Sequence, residues 1–214
     1  YALEIDKKPL EYSLGNKLFQ KLWDAKVLKI LKSLSQNCEY KDQFFECHIL
    51  WGDARKKINN IPPNIKFDLI YLDGFSPQKC PQIWSIEFLE KVTHRLNING
   101  YLITYSSSAA IRKALRNFGL YIFNIKPNLI SKNLWSNGTV AIKIVDDKNL
   151  QNFLYFKKLS LMEEEHLLTK ASIPYRDPNL NSNARDIIQK RVQEQLLSNL
   201  KTSKEWRDKW GMTK

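Results

Sequence analysis

Residues 67–81 read F-D-L-I-Y-L-D-G-F-S-P-Q-K-C-P. Aromatic and branched aliphatic side chains dominate residues 67–72, and the run stops at Asp73-Gly74. Such residues favour strands. A short, nearly continuous apolar run also suits a strand covered on both faces, the pattern of parallel sheets. The aromatic Phe75 and two prolines, Pro77 and Pro81, then make a stiff loop. A carboxylate therefore stands at the carboxyl end of a strand, where open α/β sheets hold their ligands.

The flanking sequence repeats this rhythm. Residues 1–5 read as a short buried strand ending near Glu4 and Asp6, and alternation of Phe45, Cys47, Ile49 and Trp51 predicts a strand stopping at Gly52-Asp53. Further strands are expected over 101–105, 120–125 and 138–145. Helices are expected between them. One spans 9–34 in two pieces broken near Gly15, with Leu18, Leu22, Val27, Leu31 and Leu34 approximating an apolar face. A short one covers 54–59, before Pro62-Pro63, and another covers 84–96, with Phe88, Leu89 and Val92 inward and the N-I-N-G turn closing it. A fourth follows Ser106-Ser107-Ser108 and ends near Gly119. Strands alternating with helices predict a mostly parallel α/β sheet, Rossmann-like, with helices on both faces. The expected division is a sheet domain over 1–148 and a helical, basic C-terminal extension over 149–214, in which Ile188, Val192 and Leu196 form an amphipathic stripe.

Composition narrows the function. With 43% hydrophobic and 26% charged residues, the chain resembles an ordinary folded protein rather than a disordered one. No apolar run approaches the ~20 residues of a membrane span. The three cysteines, Cys38, Cys47 and Cys80, form no C-x-x-C pair. They suit a reducing cytosol and give no zinc signature. Lys and Arg number 34 against 22 Asp and Glu, a net charge of +12. Such a surface attracts polyanions by counterion release, so nucleic acid is a natural partner. Arg55, Lys56, Arg112, Lys113, Arg116 and Arg176 are the candidate phosphate contacts, while Lys79 either meets a phosphate or is solvated. Against this basic background Glu4, Asp53 and Asp73 all fall at strand ends. Asp at such positions often only caps a helix or forms a turn, but convergence on one edge points to a ligand. Glu4 and Asp53 suit the ribose hydroxyls and the adenine amine of an adenosine cofactor without phosphates. S-adenosylmethionine, whose sulfonium favours an acidic pocket, is the candidate.

The segments L-D-G-F-S-P-Q-K-C-P-Q-I-W (72–84) and N-G-Y-L-I-T-Y-S-S-S-A-A-I-R-K-A-L (99–115) resemble the methyltransferase part of the bacterial MnmC/MnmD enzymes. W-G-D-A-R (51–55) and W-S-N-G-T-V-A-I (135–142) extend the likeness, and P-Y-R-D-P (174–178) resembles stand-alone members of the group. Those enzymes modify the wobble uridine of certain tRNAs. The resemblance implies a class I S-adenosylmethionine-dependent methyltransferase fold and methyl transfer to 5-aminomethyl-(2-thio)uridine in tRNA. It implies Glu4 and Asp53 on the cofactor, and Asp73 at the junction of methyl donor and acceptor amine. Gly74, Phe75 and Pro77 would shape the acceptor pocket. Two departures accompany it. The seven glycines contain no G-x-G, so if residues 1–5 are the family's second strand, the first strand and its glycine-rich loop lie outside this sequence. The chain also starts at Tyr1 and has no counterpart of the FAD oxidase half found in bifunctional relatives. An aminopropyltransferase-like enzyme, or a basic RNA-binding module without catalysis, are the competing readings.

Overall fold

The computed structural model describes residues 1–125, 138–144 and 156–212. Residues 135–137 of the W-S-N-G motif, the end of the expected strand at 145 and the boundary at 148/149 lie outside the described residues. The chain divides into two compact units, Tyr1–Asn64 and Ile65–Lys214.

In the first unit, β1 (Ala2–Glu4) runs parallel to β3 (Glu46–Trp51), and β2 (Glu39–Lys41) pairs antiparallel with the other edge of β3. Three helices, α1 (Lys8–Gly15), α2 (Lys17–Leu22) and α3 (Ala25–Asn37), connect β1 to β2. The expected break at Gly15 is present. A second break follows because Asp24 accepts a hydrogen bond from Val27 N and so starts α3 as its N-cap. That break resets the helical phase, and the five-residue apolar face does not survive it. Val27, Leu31 and Leu34 are half-buried, but Leu18 and Leu22 are 73% and 78% exposed. Nor is β1 buried, since its one strand neighbour is β3 and only Leu3 is partly covered. The short β2 carries a single inward residue, Tyr40, too little for a period-2 pattern to show. After β3, Asp53 opens α4 (Ala54–Lys57), which continues into a 3₁₀ turn over Ile58–Asn60.

The second unit is built on a five-stranded sheet ordered β4-β5-β7-β6-β8: β4 (Phe67–Tyr71), β5 (Leu96–Thr104), β6 (Tyr121–Ile125), β7 (Thr139–Ile142) and β8 (Phe156–Lys158). β4 and β5 are parallel, whereas β7 lies antiparallel between β5 and β6, and β8 is antiparallel to β6. The sheet is therefore mixed, and β4, at one end of its strand order, is not the doubly covered strand its apolar run predicts, since Leu69 and Tyr71 are 45% and 69% exposed. The helical crossover after β5 still delivers β6 parallel to β5, but β7 is inserted between them. The N-I-N-G segment lies within β5 instead of closing the helix before it, with Asn99 in the left-handed region (φ 63°) and its N–H bonded to Lys143 O.

α5 (Ile86–His94) and α6 (Ala109–Asn117) pack on this sheet and on each other. Ser85 caps α5, and Phe88, Leu89 and Val92 are buried as the period predicts. Leu89, Leu102, Leu115 and Val140 are fully inaccessible, each removing roughly 1.5–3 kcal/mol of side-chain surface free energy from water. On the sheet, Phe123, Val140 and Ile142 form a cluster to which Tyr101 and Phe156 add their rings.

Arg112, on α6, is only 2% exposed. Its Nε donates to Thr139 Oγ1 (2.9 Å), Nη1 to Glu163 Oε1 (2.9 Å), and Nη2 to Asn124 Oδ1 (2.7 Å) and Gly138 O (3.3 Å). Glu163 Oε2 also accepts from Asn124 Nδ2 and from the backbone N–H and hydroxyl of Ser160. The Ser160 N–H bond, with Glu163 N donating back to Ser160 Oγ (3.3 Å), is the capping box of α7 (Leu161–His166). Burial pushes the Arg112 guanidinium down, against the charge of Glu163. The Glu163 carboxyl is held below its ordinary value of 4.5 because Ser160, Arg112 and Asn124 together outweigh its burial.

Beyond α7, α8 (Ala184–Leu197) and α9 (Ser203–Lys209) complete the chain. The inward face of α8 is not the expected apolar stripe. Ile187 is buried, and one and two turns on, Arg191 donates to Ile173 O and Ala171 O and Gln195 to Lys170 O. Val192 and Leu196 are exposed. The carbonyls of Lys170, Ala171 and Ile173, in and just after the 3₁₀ turn Lys170–Ser172, select polar donors for that face. On α9, Trp206 is buried, donates to Met162 O and stacks on His166 at 4.2 Å.

Substituting Glu163→Gln leaves a buried guanidinium without its counter-charge, at a cost of about 3–5 kcal/mol. Because the carboxyl is depressed in the folded state, its contribution is present above pH 4.5 and is lost as pH falls through the folded value. Urea denaturation from pH 7 to pH 3 should show a large deficit for the variant at neutral pH that narrows in acid. Equal stability at pH 7 would contradict this account.

Candidate active site

Beyond β4, Leu72 N still bonds to Ile103 O, and the chain then leaves the sheet at Asp73. Asp73 is exposed. Ser76 O accepts from Lys79 N and Cys80 N, so the loop turns back tightly. Pro81–Trp84 form a 3₁₀ turn that leads into α5. A Cβ at Gly74 would overlap Ile83 Cδ1, so any larger residue forces that side chain out of its place against the loop. Two aromatic donors fix successive carbonyls, with Tyr105 Oη donating to Gly74 O (2.9 Å) and Trp84 Nε1 to Phe75 O (2.7 Å). Trp84 and Tyr105 meet edge to face at 6.2 Å. With its carbonyl tethered inward, Phe75 presents its ring outward, 76% exposed. Burial first, then the charge of Asp73, push the Tyr105 phenol up. Pro77 is half-buried and Lys79 exposed.

In the first unit, parallel pairing sets Glu4 opposite Trp51, and Gly52 N donates to Glu4 O. Glu4 and Asp53 thus come to the same end of the β1–β3 pair. Glu4 Oε1 accepts from Ile5 N (2.7 Å) and more weakly from Asp6 N (3.4 Å). Among the described residues its second oxygen takes no hydrogen bond. Asp53 is engaged differently. It caps α4 through Arg55 N, and its carboxylate takes Arg55 Nε at 3.0 and 3.1 Å and Nη2 at 2.6 Å. Burial opposes its charge, and the bonds from Arg55 still hold the carboxyl below its ordinary value.

The phosphate candidates divide. Arg55 and Arg112 are buried in ion pairs, Arg116 is bidentate to Glu164 (2.6 and 2.8 Å), and Arg176 pairs with Glu87 (2.7 Å). These four charges are spent within the fold. Of the six, Lys56 stays exposed and Lys113 half-exposed. Sequence reasoning gave Tyr105 no role. Its signal was available, a polar aromatic directly after β5 and ahead of three serines.

Among the described residues no group of three or more His, Cys, Asp or Glu is placed to hold a metal, and no helix is long and apolar enough to cross a membrane.

Residues 16–133, more than half of the chain, match the model of a family described as S-adenosyl-L-methionine-dependent methyltransferase. An uncharacterised protein of Methanocaldococcus jannaschii is 31% identical over 153 residues, 72% of this chain and 40% of its own length. The tRNA 5-methylaminomethyl-2-thiouridine biosynthesis bifunctional protein MnmC of Campylobacter hominis is 29% identical, over 61% of this chain and 21% of its length. The crystal structure of MNMC2 from Aquifex aeolicus superposes with a TM-score of 0.66 at 26% identity, covering 81% of this chain and 53% of that one. The chain therefore spans between a fifth and about half of the length of these relatives.

Gly74→Ala should destabilise the protein by about 1–3 kcal/mol, the usual range for overpacking. Adding Ile83→Val removes the atom that the new Cβ meets and should restore most of the loss in thermal denaturation. A double variant no better than Gly74→Ala would mean that backbone strain, not this contact, selects glycine.

Proposed function

Since the chain belongs to the S-adenosyl-L-methionine-dependent methyltransferases and has their Rossmann-like class I fold, we propose that it methylates the amine of 5-aminomethyl-(2-thio)uridine at the tRNA wobble position. The product is the 5-methylaminomethyl nucleoside. In this reading residues 1–148 form the catalytic domain, and 149–214 an extension that adds β8 to the sheet and then continues mainly as helices. One observation carries the proposal: a pinned loop offers an exposed carboxylate, Asp73, two residues from an outward-facing aromatic ring, Phe75. The likeness to MnmC of Campylobacter hominis, a protein of tRNA 5-methylaminomethyl-2-thiouridine biosynthesis, supports the choice of acceptor.

When bound, S-adenosylmethionine supplies an electrophilic methyl group on a sulfonium. Glu4 fits such a ligand, because one carboxylate oxygen takes no hydrogen bond among the described residues and can accept from ribose hydroxyls. Asp53 fits less freely, since an adenine amine would have to share its oxygens with Arg55. In this reading Asp73 would meet both the methyl donor and the acceptor amine. An alkylamine is mostly protonated at neutral pH and has no lone pair until it loses a proton. Asp73 would accept a hydrogen bond from the amine, aim it and pass the lost proton to solvent, so that the carboxylate, ionised again, stabilises the nitrogen as it becomes cationic. Phe75 stacks on the flipped-out uracil, as aromatic side chains do with unstacked RNA bases. Gly74 and Pro77 shape the pocket around it, and Lys79 meets a nearby phosphate. The net charge of +12 favours a polyanionic substrate over a cationic polyamine.

The test is methyl transfer to tRNA lacking the modification. Asp73→Asn should lower the rate about 10²–10⁴-fold with cofactor affinity retained. Glu4→Gln should instead raise the KM for S-adenosylmethionine and be largely rescued by excess cofactor. Wild-type turnover by Asp73→Asn at saturating tRNA and cofactor would reduce Asp73 to a turn-former.

A further inference from the structure

We propose that the P-Y-R-D-P segment and Arg191 form a latch that positions the Asp73–Phe75 loop, so that the C-terminal region acts on the chemistry through the protein. The proposal rests on the function given above only for its kinetic consequence.

Residues 73–80 take part in no strand pairing. Their geometry derives from the Ser76 turn and from two outside donors, Tyr105 and Trp84. Tyr105 directly follows a strand of the sheet. Trp84 does not, so something else must set its position. Tyr175 bridges to Ser85 in parallel fashion, and Ile86 N donates to Tyr175 O (2.9 Å). Glu87 then binds the next two residues of the tail. Its Oε1 takes Arg176 Nε and its Oε2 takes Asp177 N, both at 2.7 Å, across separations of 89 and 90 residues. Asp177 is fully buried and accepts from Asn181 N and Ser182 N, which closes the turn after the segment. Arg191 lies over the Tyr175 ring at 4.4 Å while donating to Ile173 O and Ala171 O. It thereby ties α8 to both sides of Pro174. α8 also packs directly against the Pro81–Trp84 turn.

The contacts form one path. Arg191 holds Tyr175, and Tyr175 and Glu87 hold the start of α5. The start of α5 fixes Trp84 and Ile83, and these hold Phe75 O and underlie Gly74. A cation–ring contact, an ion pair and direct hydrogen bonds make up the links, so displacement at Tyr175 moves the loop. Glu87 and Arg191 are positioning residues in this scheme, with no contact to substrate or cofactor required of them.

Hydrogen exchange on the full chain tests the latch without any substrate. In Arg191→Met, the amides of Lys79 and Cys80 and the Trp84 indole N–H should exchange about tenfold faster, with β5 and β7 amides unchanged. Faster exchange confined to residues 171–182, with the loop as in wild type, would overturn the proposal. Should Arg191→Met lose protection in β5 and β7 as well, Glu87→Gln decides by the same two outcomes, since it keeps the side chain's size. In methyl transfer, both variants should lower kcat about tenfold while leaving the affinity for S-adenosylmethionine unchanged. A wild-type protein that fails to methylate tRNA would remove the proposed function, and the exchange result would still judge the latch.

Discussion

The fold of the second unit depends on one buried charge. Arg112 sits under the sheet at 2% exposure and must be satisfied at each of its donors. Its partners come from β6 (Asn124), the residue just before β7 (Gly138), β7 itself (Thr139) and α7 (Glu163). Thr139 passes the connection on by donating to Ser106 O, in the loop after β5. One guanidinium thereby sets β7 between its neighbours and seats the first helix after β8. An apolar residue of equal volume would fill the space without choosing among these arrangements. The directional bonds of a planar, five-donor group do choose.

The loop after β4 follows the same logic with neutral groups. A segment outside any strand ladder would ordinarily be mobile, yet Gly74 and Phe75 have their carbonyls held by side chains from two different elements. Rigid backbone with exposed side chains suits recognition of a base, because the ring of Phe75 is presented without further ordering cost. The absence of a Cβ at Gly74 is part of the same economy of space, since Ile83 occupies the volume.

The positive charge of the chain is distributed less simply than its total suggests. Four of the six cations that seemed free to meet phosphate are paired internally, two of them beneath the surface. An arginine beside apolar neighbours in sequence is as suited to bidentate pairing within a fold as to phosphate, and local sequence does not distinguish the two. Glu163, Glu164 and Glu87 lie far along the chain from their partners.

The sequence by itself determined the elements whose cause is local. The apolar run 67–72 ending at Asp73, the buried face of α5 and the start of α4 at Asp53 all follow from short-range pattern and turn chemistry. Asp73, Gly74 and Phe75 were legible as a strand-end loop for that reason. Tertiary structure decided what depends on distant partners. It placed β7 antiparallel inside an otherwise alternating order and chose Ile187, Arg191 and Gln195 over Ile188, Val192 and Leu196 as the inward face of α8. It also gave Tyr105 and Trp84 their carbonyls. Periodicity reports which side of an element is apolar. Which polar groups a fold leaves needing a partner is known only once the chain has closed on itself, and those needs selected the donors found here.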